Sequence, residues 1–253
     1  MIQYPCNTRF RPLFSLLVVA AVATQTMAQQ NLFNIPSGDI TPKNKIFYQH
    51  QFNVYNDKLE SKGHFVYGLG RGWDAGLNVV SKGFSFRPGG LNWLQNEVPQ
   101  NGALSPVVLA TLQKQFVLTN RLNVNVGTQA GTNLSRSFGN SQFAHFTYGL
   151  LGYQVAPGRR ILAGPYATNA VLSGPGNQQG VIVGYEWKLT EKWYLMGDWI
   201  SGRNDQGAGV IGAMFWPAER VQFCAGVLLP NPNTPKAAGI VLEINILGWA
   251  ARH

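Results

Sequence analysis

Short segments in which apolar and polar residues alternate run along most of this 253-residue chain. In "VIVGYEWKL", the odd-numbered residues from Val181 to Leu189 are apolar or aromatic, and the residues between them include Gly184, Glu186 and Lys188. Successive side chains of a β-strand point to opposite faces, so this period predicts strands with one apolar and one polar face. The pattern predicts strands near residues 45–55, 63–71, 73–82, 106–118, 121–132, 142–155, 160–172, 179–189, 192–201, 207–216, 221–229 and 237–247.

The connections between the predicted strands alternate in length. The short ones contain "GRG", "TN", "APGR", "TE" and "PAE". The intervening ones are longer: "NDKLESK", "GFSFRPGGLNWLQNEVPQNGALS", "NLSRSFGNSQ", "SGPGNQQ", "GRNDQ" and "PNPNTP". Outer-membrane β-barrels have short periplasmic turns, longer outer loops and an even number of strands. A soluble sandwich has no reason to sort its loops in this way, so the alternation favours a membrane barrel.

The apolar faces by themselves fit either a soluble β-protein, which packs them inward, or a membrane barrel, which turns them toward lipid. Strands of about ten residues suit a tilted bilayer crossing. Aromatic residues such as Trp187, Trp193 and Trp216 cluster beside the short connections, as an interfacial girdle would. Charged residues make up only 12% of the chain, too few for a soluble surface of this size. We predict an all-β antiparallel transmembrane β-barrel of about 12 strands in the bacterial outer membrane; a secreted or periplasmic soluble β-protein is the alternative.

The start of the chain has the three parts of a secretory signal peptide. Arg9 and Arg11 precede the apolar run Leu13–Ala23, and the small residues Thr26 and Ala28 suit cleavage after position 28. The apolar run is too short to cross a bilayer, which takes about 20 residues. The predicted organisation is a signal peptide at 1–28, an irregular N-terminal lead-in at 29–44, a transmembrane barrel at 45–247 and a C-terminal tail at 248–253.

A stretch near the C-terminus, "MGDWISGRNDQGAGVIGAMFWPAERVQFCAGVLLPNPN", resembles the predicted outer-membrane transporters of the phenol-degradation MetA-like family. In that family an Asp-aromatic-x-Ser-Gly-x-Asn stretch ends one strand, a glycine-bearing hairpin follows, and the next strand ends near Pro-Asn. The matching residues here are Asp198, Trp199, Ser201, Gly202, Asn204, Gly209, Gly212, Pro230 and Asn231. The lead-in "IPSGDITPKNKIF" is also similar to the family. The resemblance implies a barrel that passes small molecules, and it brings no catalytic motif.

In a membrane barrel the polar face of each strand lines the lumen. The candidates for lining a narrow polar lumen are Gln49, Gln51, Asn53, Asp74, Asn78, Asn123, Asn125, Gln129, Glu186, Lys188, Asp198, Glu243 and Asn245. The long connection at 83–105 carries aromatic residues that a solvated loop does not need, and three of them are candidates for a constriction: Phe84, Phe86 and Trp93. Twelve strands lie between barrels of eight strands, filled by side chains, and aqueous porins of sixteen, so we expect a narrow lumen.

No motif for catalysis or metal binding is predicted. The histidines, among them His50 and His64, are not at ligand spacing, so we expect no metal and no cofactor. Ser61 precedes His64 in "LESKGHF" without the rest of a lipase nucleophile segment, so we predict that the protein is not an enzyme. Cys224 is alone after signal cleavage and is expected to be an inert thiol in the lumen. Basic residues are scattered singly, which argues against a nucleic-acid partner.

The pattern as a whole predicts an outer-membrane barrel that allows passive passage of a small solute. The alternative is a structural or interaction barrel of the cell envelope that transports nothing. Expected partners are outer-membrane lipid, the barrel-assembly machinery and a small-molecule solute. A homo-oligomer is compatible with the sequence.

Overall fold

The computed structural model describes residues 31–86, 90–135 and 141–250. The predicted signal peptide, residues 29–30 of the lead-in and residues 251–253 of the predicted tail lie outside these ranges. Within them, twelve strands form a closed antiparallel barrel, as predicted, and one two-residue strand lies beside it. The barrel strands are β1 (Lys45–Val54), β2 (Lys58–Gly70), β3 (Trp73–Ser85), β5 (Val107–Val117), β6 (Leu122–Asn133), β7 (Phe143–Ala156), β8 (Arg159–Thr168), β9 (Gln179–Lys188), β10 (Trp193–Ile200), β11 (Ala208–Ala218), β12 (Val221–Pro230) and β13 (Gly239–Ala250), and the two-residue strand is β4 (Asn92–Trp93).

Backbone hydrogen bonding runs round the barrel without a free edge. β1 pairs with β2 on one side and with β13 on the other, where Lys45 lies opposite Ala250. β3 pairs directly with β5, and the later strands pair in chain order. Closure satisfies the N–H and C=O groups of every strand, which hydrocarbon cannot do.

The helices of the described residues lie in the loops and are short. They are α1 (Ala170–Ser173) and a 3-10 turn at Pro99–Asn101. Neither is long and apolar enough to cross a membrane. The predicted strand at 160–172 therefore ends early, because α1 occupies its last residues.

The connections sort onto two rims, as the sequence predicts. The short-turn rim consists of residues 71–72, 118–121, 157–158, 189–192 and 219–220. The described residues of the long-loop rim are 55–57, 86, 90–106, 134–135, 141–142, 169–178, 201–207 and 231–238. The long loops of an outer-membrane barrel face the outside of the cell, so the long-loop rim is the outer one.

One predicted loop is wrong. "NDKLESK" was expected to be a long connection, but only residues 55–57 are outside the strands and β2 begins at Lys58. A hydrogen bond from Tyr55 N to Lys58 O of 2.9 Å closes a tight turn. Its charged residues look like a solvated loop, but Lys58, Glu60 and Lys62 alternate with Leu59 and line the interior side of β2.

The outward face of the barrel is apolar. Exposed apolar side chains occur on every side of the wall and include Phe65, Leu77, Leu112, Val126, Leu151, Ile161, Val183, Leu195, Ile211, Val227 and Leu242. Aromatic side chains gather at the short-turn rim, where the Trp193 and Phe215 ring centroids are 4.6 Å apart and Lys114 Nζ lies 5.3 Å from the Trp73 ring centroid. An apolar band bordered by aromatic residues on a closed barrel is the form of an outer-membrane protein in contact with lipid. The protein is therefore a β-barrel of the bacterial outer membrane.

Candidate functional site

The interior of the barrel is occupied by residues 31–44, which we call the lead-in. Asn44 N donates to Gly68 O at 2.9 Å, so the lead-in enters beside β2 near the short-turn rim. It rises into the lumen and turns back at residues 31–36, where Leu32 N donates to Ile35 O at 2.9 Å. The side chains of Leu32, Phe33 and Ile35 are at most 1% exposed. The pattern of the sequence describes this segment only as irregular and does not place it inside the barrel.

Glycines on the inward faces of the strands make room for the lead-in. A Cβ atom added to Gly184 of β9 would lie 2.8 Å from Ile35 Cδ1, and one added to Gly212 of β11 would lie 2.7 Å from Phe33 Cζ. Larger residues at these positions would displace the lead-in or bend the wall. The glycine-rich strands are therefore fitted to an apolar segment and not to an open aqueous channel.

Carboxylates of the wall hold the backbone of the lead-in. Asp198 Oδ2 accepts hydrogen bonds from the backbone N–H groups of Asn34 and Ile35, the second at 3.1 Å. Asp74 Oδ2 accepts one from Thr41 N at 3.0 Å. A buried N–H group without a partner is costly, so these carboxylates contribute to holding the segment in one position.

Amide side chains of β5, the strand paired with β3, bind the lead-in beside Asp74. Gln113 Nε2 donates to Asp39 O and Gln115 Nε2 donates to Gly38 O, each at 2.8 Å. A Cβ atom added to Gly38, whose φ is 75°, would lie 3.0 Å from the side-chain carbon Cγ of Asn125. Only glycine combines this backbone conformation with such close approach to the wall.

An ion triad ties the lead-in to β8 and β9. Arg160 Nη2 lies 2.6 Å from Asp39 Oδ2 and 2.9 Å from Glu186 Oε2, and all three side chains are at most 16% exposed. One guanidinium thus neutralises one carboxylate of the lead-in and one of the wall. Removal of Arg160 would leave two carboxylates close together without a cation, which is strongly unfavourable in a buried setting.

The structure places the predicted lumen residues on the inner side of the wall. Nine of them are at most 6% exposed: Gln49, Gln51, Asn53, Asp74, Asn78, Asn125, Asp198, Glu243 and Asn245. Those that are partly exposed are Asn123, Gln129, Glu186 and Lys188. Many of these side chains bind one another or the lead-in and not open solvent: Asn31 Nδ2 donates to Gln49 Oε1 at 2.5 Å, and Asn78 Nδ2 donates to Gln129 Oε1 at 2.9 Å. Lys188 lies apart from the others and pairs with Glu191 of the short-turn rim at 2.7 Å.

Two adjoining cavities remain above the lead-in. The outer cavity has a volume of about 530 Å³ and is lined by residues that include Asn53, Lys58, Trp93, Asp205 and Lys236. The inner cavity has a volume of about 90 Å³ and is lined by residues that include Asn34, Gln49, His64, Asn78 and Phe146. Lys62, Ser81 and Gln206 line both cavities. The two spaces therefore lead from the long-loop rim down to the tip of the lead-in.

Lys236 sets part of the charge of the outer cavity. It lies in the loop at 231–238, and its Nζ donates to Asp205 O at 3.0 Å. Burial and the neighbouring positive charge of Lys62 lower the pKa of Lys236 to about 8. The outer cavity therefore loses one positive charge between pH 7 and pH 9.

The loop that was predicted to constrict the lumen lies over its outer mouth. Phe84 is the next-to-last residue of β3, and its ring is tilted by 36° against that of Trp93, with the centroids 4.3 Å apart. Trp93 borders the outer cavity, and Phe86 is 51% exposed. Leu104 of this loop is buried, and its N–H donates to Val171 O at 2.9 Å. This hydrogen bond fastens the segment to the loop at 169–178, and the constriction by Phe84, Phe86 and Trp93 stays a prediction.

Several interior residues were not found from the sequence. Arg160, Lys62, Gln113 and Gln115 hold the lead-in, and none was among the predicted lumen residues. Gln113, Gln115 and Arg160 lie within predicted strands and next to the outward apolar residues Leu112, Phe116 and Ile161, so the same face rule could have found them, whereas Lys62 lies in a predicted connection. The apolar side chains of "NLFNIP" within a polar lead-in were a second usable signal.

The interior holds no metal-binding group among the described residues. No three His, Cys, Asp or Glu side chains of residues 31–86, 90–135 and 141–250 are positioned around a common point. Cys224 is buried in the wall and accepts a hydrogen bond from Asn245 Nδ2 at 3.7 Å.

Comparison with known proteins gives information on the fold and not on the function. No family model and no curated protein matches the sequence. A solved structure of the Salmonella typhi outer membrane phospholipase (OMPLA) dimer with bound calcium matches with a TM-score of 0.43 and 11% identity, over 81% of this chain and 91% of that one. The Ralstonia pickettii toluene transporter TbuX matches with a TM-score of 0.42 and 12% identity, over 83% and 90%. The Acinetobacter baumannii outer membrane channel DcaP matches with a TM-score of 0.32 and 10% identity, over 80% and 96%.

These matches correct one prediction. The sequence was taken to exclude an enzyme, but matching structures include outer membrane phospholipase A, which is an enzyme. The prediction that the protein is not an enzyme, which was based on the lack of a lipase nucleophile segment in the sequence, is therefore wrong. At about 11% identity the match does not establish enzyme activity in this chain either. What is established is a twelve-stranded barrel of the outer membrane with an occupied lumen.

Proposed function

We propose that the protein lets a small polar solute cross the outer membrane passively, by way of the two cavities and a movement of the lead-in. The observation that carries this proposal is the pair of adjoining cavities, which share Lys62, Ser81 and Gln206 and end at the lead-in. A barrel with a purely structural role has no need of a space of about 530 Å³ at its outer mouth.

The chemistry of the cavity walls supports a polar solute. Amides, hydroxyls and charges of both signs line the outer cavity, where Lys58 Nζ and Glu60 Oε1 are 2.6 Å apart. A narrow passage with charged and amide groups selects its solutes by size and by the charge of its walls. The small inner cavity limits the size of a solute that can wait there to a few heavy atoms.

The lead-in supports the role of a gate, because it is attached at several separate points and is not part of the wall. Ile35 at its tip binds Asp198, Asp39 in its middle binds Arg160 and Gln113, and Thr41 binds Asp74. Between the tip and Thr41 it forms no strand with the barrel, so it can move without breaking the closed sheet.

The finer assignments are part of the same proposal. We assign the chain to the phenol-degradation MetA-like family on the motif that begins at Asp198. Two motif residues have structural roles here: Asp198 holds the tip of the lead-in, and Asn204 Oδ1 accepts the N–H groups of Gln206 and Gly207 at 3.0 and 2.9 Å. A signal peptide at 1–28, delivery by the barrel-assembly machinery, the division into lead-in, barrel and tail, and a possible homo-oligomer belong to this proposal too.

A cysteine at the junction of the cavities tests the route. In a Cys224→Ala background, we expect Gln206→Cys to lose at least half of its solute uptake after reaction with a bulky charged thiosulfonate reagent. The measurement is swelling of proteoliposomes in sugars and amino acids of increasing size. Ser141→Cys is the matched control, because Ser141 is exposed on the loop at 134–142 and lines neither cavity. Equal uptake by both labelled variants would place the route elsewhere.

The pKa of Lys236 gives a second test. Between pH 7 and pH 9 the anion-to-cation permeability ratio should fall roughly two- to fivefold, since a unit charge within about 8 Å is worth on the order of 0.5–1 kcal/mol at intermediate dielectric. The ratio is obtained from reversal potentials of membranes that hold many copies of the protein. Lys236→Gln should show the lower ratio at both pH values. A pH effect of the same size in this variant would contradict the assignment to Lys236.

A structural or interaction barrel remains the competing function. It predicts a folded protein that passes no solute of any size, both with the lead-in present and after its removal. The uptake experiment and the deletion argued in the Discussion separate the two functions.

A further inference from the structure

Three polar side chains on the outward side of β1 and β2 are hydrogen-bonded in series; Tyr48 and His50 are partly exposed, and Ser61 is 8% exposed. Ser61 Oγ lies 3.0 Å from His50 Nε2, and Tyr48 Oη lies 2.8 Å from His50 Nδ1. On β1, Tyr48 and His50 alternate with the buried residues Gln49 and Gln51, so they belong to its outward face. The series was missed in the sequence because its members lie on two strands, and Ser61 was compared only with His64.

The surroundings of this series are apolar. Phe52 lies opposite Ser61, and Phe65 lies opposite Tyr48; these phenylalanines are 36% and 42% exposed. Outward positions elsewhere on the wall, such as Val183 and Ile211, carry aliphatic side chains. Polar groups facing lipid are unfavourable unless they are satisfied within the protein. Three consecutive polar partners at this place need a reason other than contact with lipid.

The neighbouring strand adds a cation and a bulge. Lys82 of β3 lies opposite Ser61 and is exposed. The register of β2 and β3 shifts between Ser61 and Gly63, and Ser81 has a φ of 59°. β-Bulges re-aim side chains and are frequent beside active sites. Lys82 is three residues from the end of β3 at the long-loop rim, and an exposed lysine is tolerated near the interface but not at the bilayer midplane, so this row lies near the outer membrane surface.

We propose that Ser61, His50 and Tyr48 form a hydrolytic site for carboxylic esters of amphiphiles in the outer leaflet. The proposal is independent of solute passage, because the site lies on the opposite face of the wall from the cavities. A serine hydroxyl within hydrogen-bond reach of a histidine, which is itself oriented by a third group, is the arrangement of a nucleophile with its general base.

The reaction follows from the two hydrogen bonds of His50. With the ring proton on Nδ1, donated to Tyr48 Oη, Nε2 is free to accept the proton of Ser61 Oγ while that oxygen attacks the ester carbonyl carbon. The tetrahedral intermediate collapses as the C–O bond to the alcohol breaks, and the alcohol oxygen takes the proton from Nε2. Water then attacks the acyl-serine, with His50 again taking and returning a proton. The balance is ester plus water to carboxylic acid plus alcohol.

The patch fits an amphiphilic ester in one orientation. An acyl chain would run along Phe65 and Leu77 toward the middle of the membrane, both of which are exposed outward. Lys82 would lie beside the carbonyl oxygen or an anionic headgroup at the level of Ser61. Gly63 leaves space beside the imidazole, since a Cβ atom there would lie 3.8 Å from His50 Nδ1.

Covalent labelling and ester hydrolysis test the site on the full-length protein folded in detergent. We expect an alkyl fluorophosphonate to label Ser61, located by mass spectrometry of the peptide, and p-nitrophenyl laurate to be hydrolysed faster than the butyrate. Ser61→Ala should lose the label, and His50→Gln should lower kcat/KM by about 10²–10⁴-fold, the usual size of general acid–base catalysis. Tyr48→Phe should move the acid limb of the pH profile of kcat/KM to lower pH, because the imidazole loses its acceptor.

Controls separate this activity from loss of fold. Ser141→Ala, which removes an exposed serine of the long-loop rim, should retain the label and the rate. Heat-modifiable electrophoretic mobility shows that each variant is a folded barrel. A folded wild type that neither hydrolyses the esters nor takes the label overturns the proposal. So does a label that persists in Ser61→Ala, and equal rates for laurate and butyrate would overturn the assignment to amphiphiles.

Discussion

Deletion of residues 31–41 should convert the barrel from a closed to an open state. Burial of Leu32, Phe33 and Ile35 is worth roughly 1.5–3 kcal/mol for each side chain. Since about 1.4 kcal/mol is a factor of ten in population, the lead-in leaves the lumen in well under about one molecule in a hundred. Removing it should raise the mean conductance in planar bilayers about 100-fold or more. Residues 42–44 are retained because Lys45 N donates to Pro42 O at 3.0 Å at the start of β1.

A second variant guards against a deletion that fails to fold. The double substitution Leu32→Asp and Ile35→Asp keeps the length of the chain but places two carboxylates in the apolar cluster around Leu162 and Ile182. It should expel the lead-in and raise conductance in the same direction. Asp198→Asn is a milder control, since the amide oxygen still accepts from Asn34 and Ile35, and its conductance should lie between. A folded deletion variant with the conductance of the wild type would exclude the lead-in as a gate and favour the structural barrel.

The wall of the barrel was predictable because its pattern is local. The predicted strand at 121–132 and the observed β6, Leu122–Asn133, differ by one residue at each end. Leu122 and Val126 face outward and Asn125 is buried, which follows from the period of two. A shift of register by one residue would turn every apolar side chain into the lumen, so the pattern specifies both the strand and its face.

The contents of the lumen could not be predicted in the same way. Asn34 and Asp198 are separated by 164 residues, and no local period links the backbone N–H of one to the carboxylate of the other. The hydrogen-bonded series of Ser61, His50 and Tyr48 could not be predicted from the sequence for a similar reason. His50 and Ser61 meet because β1 and β2 pair after a tight turn, whereas the charged residues from Lys58 to Lys62 suggested a loop. Once the tight turn at residues 55–57 is known, the side chains of His50 and Ser61 can be placed on the same outward face of the sheet.

The interior also shows why polar residues on strands do not identify a pore. Gln49 and Asn78 were predicted to line a lumen, and both lie on the inner side of the wall. Their amides, however, bind Asn31 of the lead-in and Gln129 of β6. A polar inward face is required both by a water-filled channel and by a segment whose backbone needs hydrogen-bond partners. Only the position of the lead-in distinguishes the two.

The orientation of the wall can be tested by one charge placed at two depths. Val183 is at the middle of β9 and is 39% exposed, and Val181 is on the same face nearer the long-loop rim. Val183→Arg should cost about 2–4 kcal/mol in a lipid bilayer, whereas Val181→Arg, nearer the interface, should cost about 0–1 kcal/mol. The measurement is the free energy of unfolding by urea in lipid vesicles, with folded and unfolded species separated by electrophoresis.

Val183→Leu is the matched control for the change of size and should alter the free energy of unfolding by less than about 0.5 kcal/mol, as is usual for surface substitutions. The depth dependence is the decisive part of the result. In a soluble barrel both arginines would face water and would be tolerated equally. In a membrane barrel the cost arises because the guanidinium at Val183 must reach through the hydrocarbon to the interface, past Ala163 and Trp199 of the neighbouring strands. Equal and small effects at both depths would mean that the apolar face does not contact lipid, and the barrel would then not span the membrane.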